Sequence, residues 1–189
     1  ALTLEGSERM SKSVVALVGR PNVGKSTLFN KLTGKRMSIV DDTAGVTRDR
    51  VYGDCEWRGR TFSLVDTGGI ENEKNSDIIS KGIRYQAEIA IDLASVVIFV
   101  VDLKDGLTLA DEEIARMLQR SSKPIILCVN KCDKVGPEAY NFYEFYNLGL
   151  GEPLQISSVH GHGTGDLLDK VLSYLPPESE DNDSESISV

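Results

Sequence analysis

The sequence predicts a three-layer α/β domain: a six-stranded, mostly parallel sheet with one antiparallel strand and helices on both faces. Three observations carry this. Gly19-Arg20-Pro21-Asn22-Val23-Gly24-Lys25-Ser26 fits G-x-x-x-x-G-K-[ST], the phosphate-cradling P-loop. It lies between a short apolar run, Val14 to Val18, and a stretch from Ser26 to Leu32 that reads as a helix, which is the context a P-loop needs. Two later runs, Ser95 to Val101 and Ile125 to Val129, are continuously apolar, like strands buried on both faces of a parallel sheet.

A length of 189 residues suits one domain with a proper core, expected over residues 13–177. Residues 1–12 show no periodicity and read as a disordered extension, with Met10 as a native start behind a tag remnant. Residues 178–189 are rich in Ser, Asp and Glu and read as a disordered acidic linker. The net charge is −8, but Glu178, Glu180, Asp181, Asp183 and Glu185 supply five of those charges. The rest of the chain is too near neutrality to bind nucleic acid through bulk charge. No run of 18 apolar residues suggests a membrane span, and no signal peptide is visible at the start. Cys55, Cys128 and Cys132 are odd in number and irregularly spaced, which predicts reduced thiols in a cytoplasmic protein. Cys128 lies in an apolar strand and reads as a core residue.

Taken in order, the first strand leads into the P-loop. Gly19 and Gly24 let the backbone curl so that its N–H groups approach phosphate oxygens. The following helix points its positive end at the same place. Lys25 is expected to reach the β- and γ-phosphates, and Ser26 Oγ to ligate Mg²⁺. Gly34 to Arg50 is long and polar, and a Thr within it would fold onto Mg²⁺ and the γ-phosphate as a switch.

Val51 to Trp57 and Thr61 to Val65 read as two strands joined by a tight turn at Arg58-Gly59-Arg60, the first of them being the antiparallel one. The second ends in Asp66-Thr67-Gly68-Gly69, about 40 residues after the P-loop. Asp66 would hold the Mg²⁺ shell, and Gly69 would offer its N–H to the γ-phosphate. A helix follows from about Ile79 to Ala94, with Ile83, Ala87, Ala90 and Ala94 at helical spacing. Leu109 to Arg120 reads as another.

The strand ending at Val129 runs into Asn130-Lys131-Cys132-Asp133. A carboxylate here accepts two parallel hydrogen bonds from guanine N1–H and its 2-amino group, a donor pair that adenine lacks. Asn130 would serve the N7 side of the base and tie this loop to the P-loop. The Lys131 stem would lie over the ring. The aromatic cluster in Pro137 to Leu148 reads as a helix packing face. Leu154 to Ile156 forms the last strand, followed by Ser157-Ser158-Val159, where a backbone N–H would meet guanine O6. His160 and His162 lie in a Gly-rich turn and are expected to face solvent. Thr164 is expected to cap a closing helix from Leu167 to Leu175. An ATP-dependent P-loop enzyme remains the alternative until the base contact is tested.

The ordered set GRPNVGKS, VTRD, DTGG, NKCD and SSV resembles the five signature boxes of translation-factor-type GTPases. It is most similar to the first G domain of the Der (EngA) family, bacterial GTPases with two tandem G domains and a KH-like domain. The resemblance covers Val14 to Pro176. It implies a G domain that hydrolyses GTP to GDP and phosphate with Mg²⁺, in a factor for large ribosomal subunit assembly whose second G domain and KH-like domain lie outside this chain. It implies Lys25, Thr47, Gly69 and Asn22 as catalytic residues, with Thr47 as the switch threonine on Mg²⁺. The metal set is then Ser26, Thr47 and, through water, Asp66. Nucleotide contacts are implied at Gly19, Arg20, Pro21, Asn22, Val23, Gly24, Lys25, Ser26 and Thr27, then at Asp66, Thr67, Gly68 and Gly69. The base would meet Asn130, Lys131 and Asp133, with Ser157, Ser158 and Val159.

Asn22 matches the asparagine that in related GTPases helps to hold a K⁺ ion near the phosphates. Ile70 stands where many small GTPases have a water-orienting glutamine, so slow turnover in isolation is expected. Ala44 replaces the usual proline, which would loosen the switch. Val159 replaces a polar residue, with little effect if only the Ser158 backbone is used. Two alternatives stay open: a module that senses GTP against GDP with negligible turnover, and the G domain of a sister family such as Era.

Overall fold

The computed structural model describes residues 12–34, 39–40, 51–68, 76–133 and 141–177; for residues 39–40 and 76–81 it describes the backbone alone. The expectations for both termini (beyond Lys12), for Ala44 and Thr47, for Gly69 and Ile70, and for Tyr140 fall outside these residues.

The strands are β1 (Val14–Val18), β2 (Ile39–Val40), β3 (Val51–Trp57), β4 (Arg60–Asp66), β5 (Val96–Asp102), β6 (Ile125–Asn130) and β7 (Leu154–Gln155). The helices are α1 (Lys25–Thr33), α2 (Ser76–Leu93), α3 (Leu109–Arg120), α4 (Asn141–Glu144) and α5 (Thr164–Tyr174). One sheet holds all seven strands in the order β2-β3-β4-β1-β5-β6-β7. All six expected strands are present; the two-residue β2 adds a seventh at the edge, paired antiparallel to β3. Since β3 also pairs antiparallel with β4, and every other pairing is parallel, β3 alone runs against the rest. The β3–β4 turn is made by Arg58 and Gly59 with φ of 49° and 79°, a two-residue turn whose twist matches that of the strands.

Side chains alternate across the sheet, so each strand feeds two cores. Val15 and Leu17 of β1 pack with Phe29 of α1 and Leu167 and Val171 of α5. Ala16 and Val18 pack on the other side with Ile83, Ala87 and Ala90 of α2 and Ile114 and Leu118 of α3. This gives the three layers. Cys128 is buried in the first core, and burial pushes its thiol pKa well up, as it pushes that of Cys55 up to about 12. Both are packing residues with inert thiols.

Several boundaries differ from expectation, and α2 begins at Ser76 rather than at about Ile79. Gly163 (φ 75°), not Thr164, caps α5, and the helix begins at Thr164 rather than Leu167. A Cβ at Gly163 would collide with the Gln155 carbonyl oxygen, so close backbone approach decides the cap. Thr164 instead donates its hydroxyl to the Gly161 carbonyl at 3.0 Å. In the aromatic stretch the described helix is only α4 followed by a 3₁₀ turn, Phe145–Leu148. Phe142, Phe145 and Leu148 pack inward, while Tyr143 and Tyr146 face out.

Gly53 in β3 lets α1 lie directly on the sheet. A Cβ there would sit 2.7 Å from Thr33 Cγ2 and 2.8 Å from Phe29 Cζ. Both side chains are buried and cannot swing away. Gly53→Ala is therefore expected to destabilise the fold by about 1–3 kcal/mol through overpacking. Urea denaturation checks it: an unchanged midpoint would show that α1 yields.

Candidate functional site

The carboxyl ends of β1, β4, β5 and β6 lie side by side, and the loops leaving them form the site. The P-loop leaves β1 with Asn22 and Gly24 both at positive φ, 66° and 100°. Gly19 passes so near β5 that a Cβ would lie 2.5 Å from the Val100 carbonyl oxygen. Val23 is fully buried and anchors the loop in the core. Gly24 stands at the N-cap of α1 with no side-chain cap, and the first turn holds no acid. Its N–H groups and dipole are thus presented to an anion. Lys25 is buried, 3% exposed, while Ser26 and Thr27 are exposed.

Asp66 ends β4 opposite Leu17 of β1 and is buried. One of its oxygens accepts the Gly68 N–H at 3.0 Å, which aims the carboxylate. Thr67 donates its hydroxyl to the Leu17 carbonyl at 2.8 Å and locks the end of β4 to β1. Of the residues expected to hold Mg²⁺, the two that are described offer hard oxygens, a hydroxyl (Ser26) and a carboxylate (Asp66). That fits an ion that takes one or two protein ligands and completes its shell with water and phosphate. No cluster of three or more His, Cys, Asp or Glu is found among the described residues, and such an ion needs none. Thr47 and Gly69 lie outside the described residues.

The fourth box is bound to the first. Asn130, 2% exposed, donates Nδ2–H to the Val23 carbonyl at 2.8 Å. Its Oδ1 accepts both the backbone N–H and the hydroxyl of Ser158 at 3.0 Å. One amide therefore holds three boxes together, as expected of the P-loop tie. The Ser158 N–H, expected to face guanine O6, already donates to Asn130, so it would reach the base only as a shared donor. Lys131 (φ 68°) donates to the Asn22 carbonyl at 2.9 Å and to Asp102 Oδ2 at 2.5 Å. Asp133 accepts from Lys104 Nζ at 2.9 Å and from Ser157 Oγ at 3.1 Å. The Lys104 hydrogen bond holds its carboxyl below the ordinary range, opposed by burial and helped by the Ser157 hydrogen bond. Ser157 is buried, the Val159 side chain points to solvent, and His160 and His162 are exposed as expected.

Four participants were not foreseen. Asp102, buried at the end of β5, accepts the Lys104 N–H as well as Lys131; the strand-end position that singled out Asp66 would have found it. Lys104 carries no sequence signal. Asp111, fully buried, accepts from the predicted P-loop residue Arg20 at 3.0 Å, so the P-loop is pinned to the start of α3, where Thr108 and Asp111 form a capping box. Burial raises the Asp111 pKa, and the Arg20 charge opposes that rise. The fourth is Gln86, whose spacing from Ile83 and Ala90 puts it on the inner face of α2.

Residues 14–131 match the family of 50S ribosome-binding GTPases. The chain is 60% identical over 176 residues to GTPase Der of Clostridium perfringens, covering 93% of this chain and 40% of that protein. It thus spans about 40% of the length of the curated relatives it matches. Among solved structures it is similar to Aquifex aeolicus Era bound to GDP·AlF4⁻, with TM-score 0.67 and 36% identity over 87% of this chain and 57% of that one. The G domain of the T. maritima FeoB iron transporter superposes with TM-score 0.60 at 29% identity, over 86% of this chain and 98% of that one.

Proposed function

The chain belongs to the family of 50S ribosome-binding GTPases, and from that premise we propose that residues 13–177 form the first G domain of a Der-type factor that hydrolyses GTP to GDP and phosphate. The observation that carries this is the Asn130 amide, which joins the phosphate loop, the base-reading loop and the Ser157-Ser158 turn into one rigid cradle. Identity of 60% to a Der protein against 36% to Era favours the Der reading over the sister family.

Asp133 reads guanine through its two oxygens. Lys131, whose one ammonium donates to both the Asn22 carbonyl and Asp102, lies along the base. The P-loop amides and Lys25 hold the β- and γ-phosphates in line for attack by water, so that positioning and charge do most of the work. Ser26, and Asp66 through water, are the residues that would hold Mg²⁺, with Thr47 from the switch; the ion would neutralise charge on the phosphate oxygens. Gly69 would give its N–H to the γ-phosphate. The large ribosomal subunit, or its precursor, is the partner through the full-length protein, in the cytoplasm. No helix among the described residues is long and apolar enough to cross a membrane.

Asn22 would bind K⁺ beside the phosphates, a charge placed where an arginine finger is worth about 10³–10⁵ in rate. Phosphate release from MgGTP is expected to run at least about tenfold faster in KCl than in NaCl, and Asn22→Ala should erase the difference. Equal rates in both salts would remove the K⁺ role. No release in either would leave a GTP/GDP sensor. Effective competition by ATP would overturn the guanine reading.

A further inference from the structure

The inner face of α2 is apolar at Ile83, Ala87 and Ala90, yet Gln86 shares it and is 7% exposed. Its Oε1 accepts a hydrogen bond from Lys25 Nζ at 3.0 Å. Thr67 Oγ1 lies 3.5 Å from the same oxygen, while its proton goes to the Leu17 carbonyl at 2.8 Å. The first residue of α1, the end of β4 and the middle of α2 therefore converge on one amide oxygen. A buried amide costs desolvation that an apolar side chain would not, and only its hydrogen bonds offset that cost.

We propose that Gln86 is a positioning residue for the P-loop lysine, an inference that rests on the GTPase reading above. A lysine ammonium has three N–H donors in fixed tetrahedral relation. Holding one of them against Gln86 stops the rotor and aims the other two. An amide does this without neutralising the charge that the phosphates must feel; a carboxylate at the same place would cancel it. Gln86 also makes α2, the helix that follows the DTGG box, a mechanical partner of the P-loop.

The test compares the full chain with Gln86→Met and Gln86→Glu, using MgGTP and MgGDP as probes. Gln86→Met keeps length and volume and removes the acceptor. Its kcat is expected to fall about tenfold or more, the scale of a hydrogen bond to a charged group; its melting temperature also falls, because a buried ammonium donor loses its acceptor, so kcat is the deciding readout. Gln86→Glu keeps the acceptor and adds a charge. Its affinity for both nucleotides is expected to fall about tenfold or more, because the new carboxylate competes with phosphate for Lys25. A packing role alone would lower the melting temperature and leave both kcat and affinity unchanged, and that pattern overturns the proposal. If Gln86→Met fails to fold, the nucleotide affinity of Gln86→Glu decides alone. An unchanged chain that neither binds nor hydrolyses GTP would sink the GTPase reading and this proposal together; an active one with unaffected variants would sink only this proposal.

Discussion

Replacing Asp133 by Asn is expected to weaken MgGTP binding by about a thousandfold or more and to shift preference toward xanthosine triphosphate. Each Asp133 oxygen already takes one internal hydrogen bond, from Ser157 and from Lys104. A carboxylate oxygen has further lone-pair capacity, so both remain able to accept from guanine N1–H and N2–H. An Asn amide offers one acceptor and one NH₂. The NH₂ would face either Lys104 or the guanine amine, donor against donor, and a desolvated donor without a partner costs more than the bond it lost. Xanthine carries a carbonyl where guanine has its amine, and so suits the amide.

The same geometry sets the pH behaviour. The Asp133 pKa is lowered, first by the Lys104 hydrogen bond, so the carboxylate persists as pH falls through the ordinary range for Asp. Its contribution is present above that ordinary value and is lost only as pH drops through the lowered one. Affinity for GTP should stay flat through mild acid in the unchanged chain, and Lys104→Ala should move the fall to higher pH. Calorimetry with both triphosphates checks the set. Equal GTP affinity in the Asp133→Asn variant would mean that this carboxylate does not read the base.

Much of this cradle was legible in the sequence because its parts are local. The P-loop is eight consecutive residues between a strand and a helix, and the strand-end residues Asp66 and Asn130 follow apolar runs that announce themselves. What stayed hidden depends on which strands are neighbours. Lys104 meets Asp133 because β5 lies beside β6 with Asp102 opposite Asn130, a register set by the whole sheet. Arg20 and Asp111 are 91 residues apart and meet only once α3 has packed. The strand β2 has two residues, too few to show a period. The cap of α5 was misplaced because the side-chain preference at Thr164 is readable, whereas the closeness of the Gln155 carbonyl to Gly163 is not. Gln86 could have been noticed as a polar residue on an apolar helical stripe, although its partner could not.

Gly24→Ala is expected to cost both stability and nucleotide affinity. Gly24 has φ of 100°, where an L-residue with a Cβ costs about 1–2 kcal/mol. That alone is survivable. The added carbon, however, would fall inside contact distance of Asn130 Nδ2, the amide nitrogen that donates to the Val23 carbonyl. Asn130 cannot turn away freely, since its oxygen holds both donors of Ser158. Displacing it strands a buried carbonyl and a buried amide, each worth about 1–3 kcal/mol when unsatisfied. The expected sum is about 3 kcal/mol or more of stability, with nucleotide affinity down by about a hundredfold or more as the base loop parts from the phosphate loop. Gly34→Ala isolates the backbone cost, because Gly34 has φ of 65° and, among the described residues, no neighbour within 4 Å of a Cβ. Urea denaturation of both variants, with and without MgGDP, separates the two effects. A Gly24→Ala chain as stable and as tight for nucleotide as Gly34→Ala would show that the Asn130 amide steps aside, and that the cradle does not depend on it.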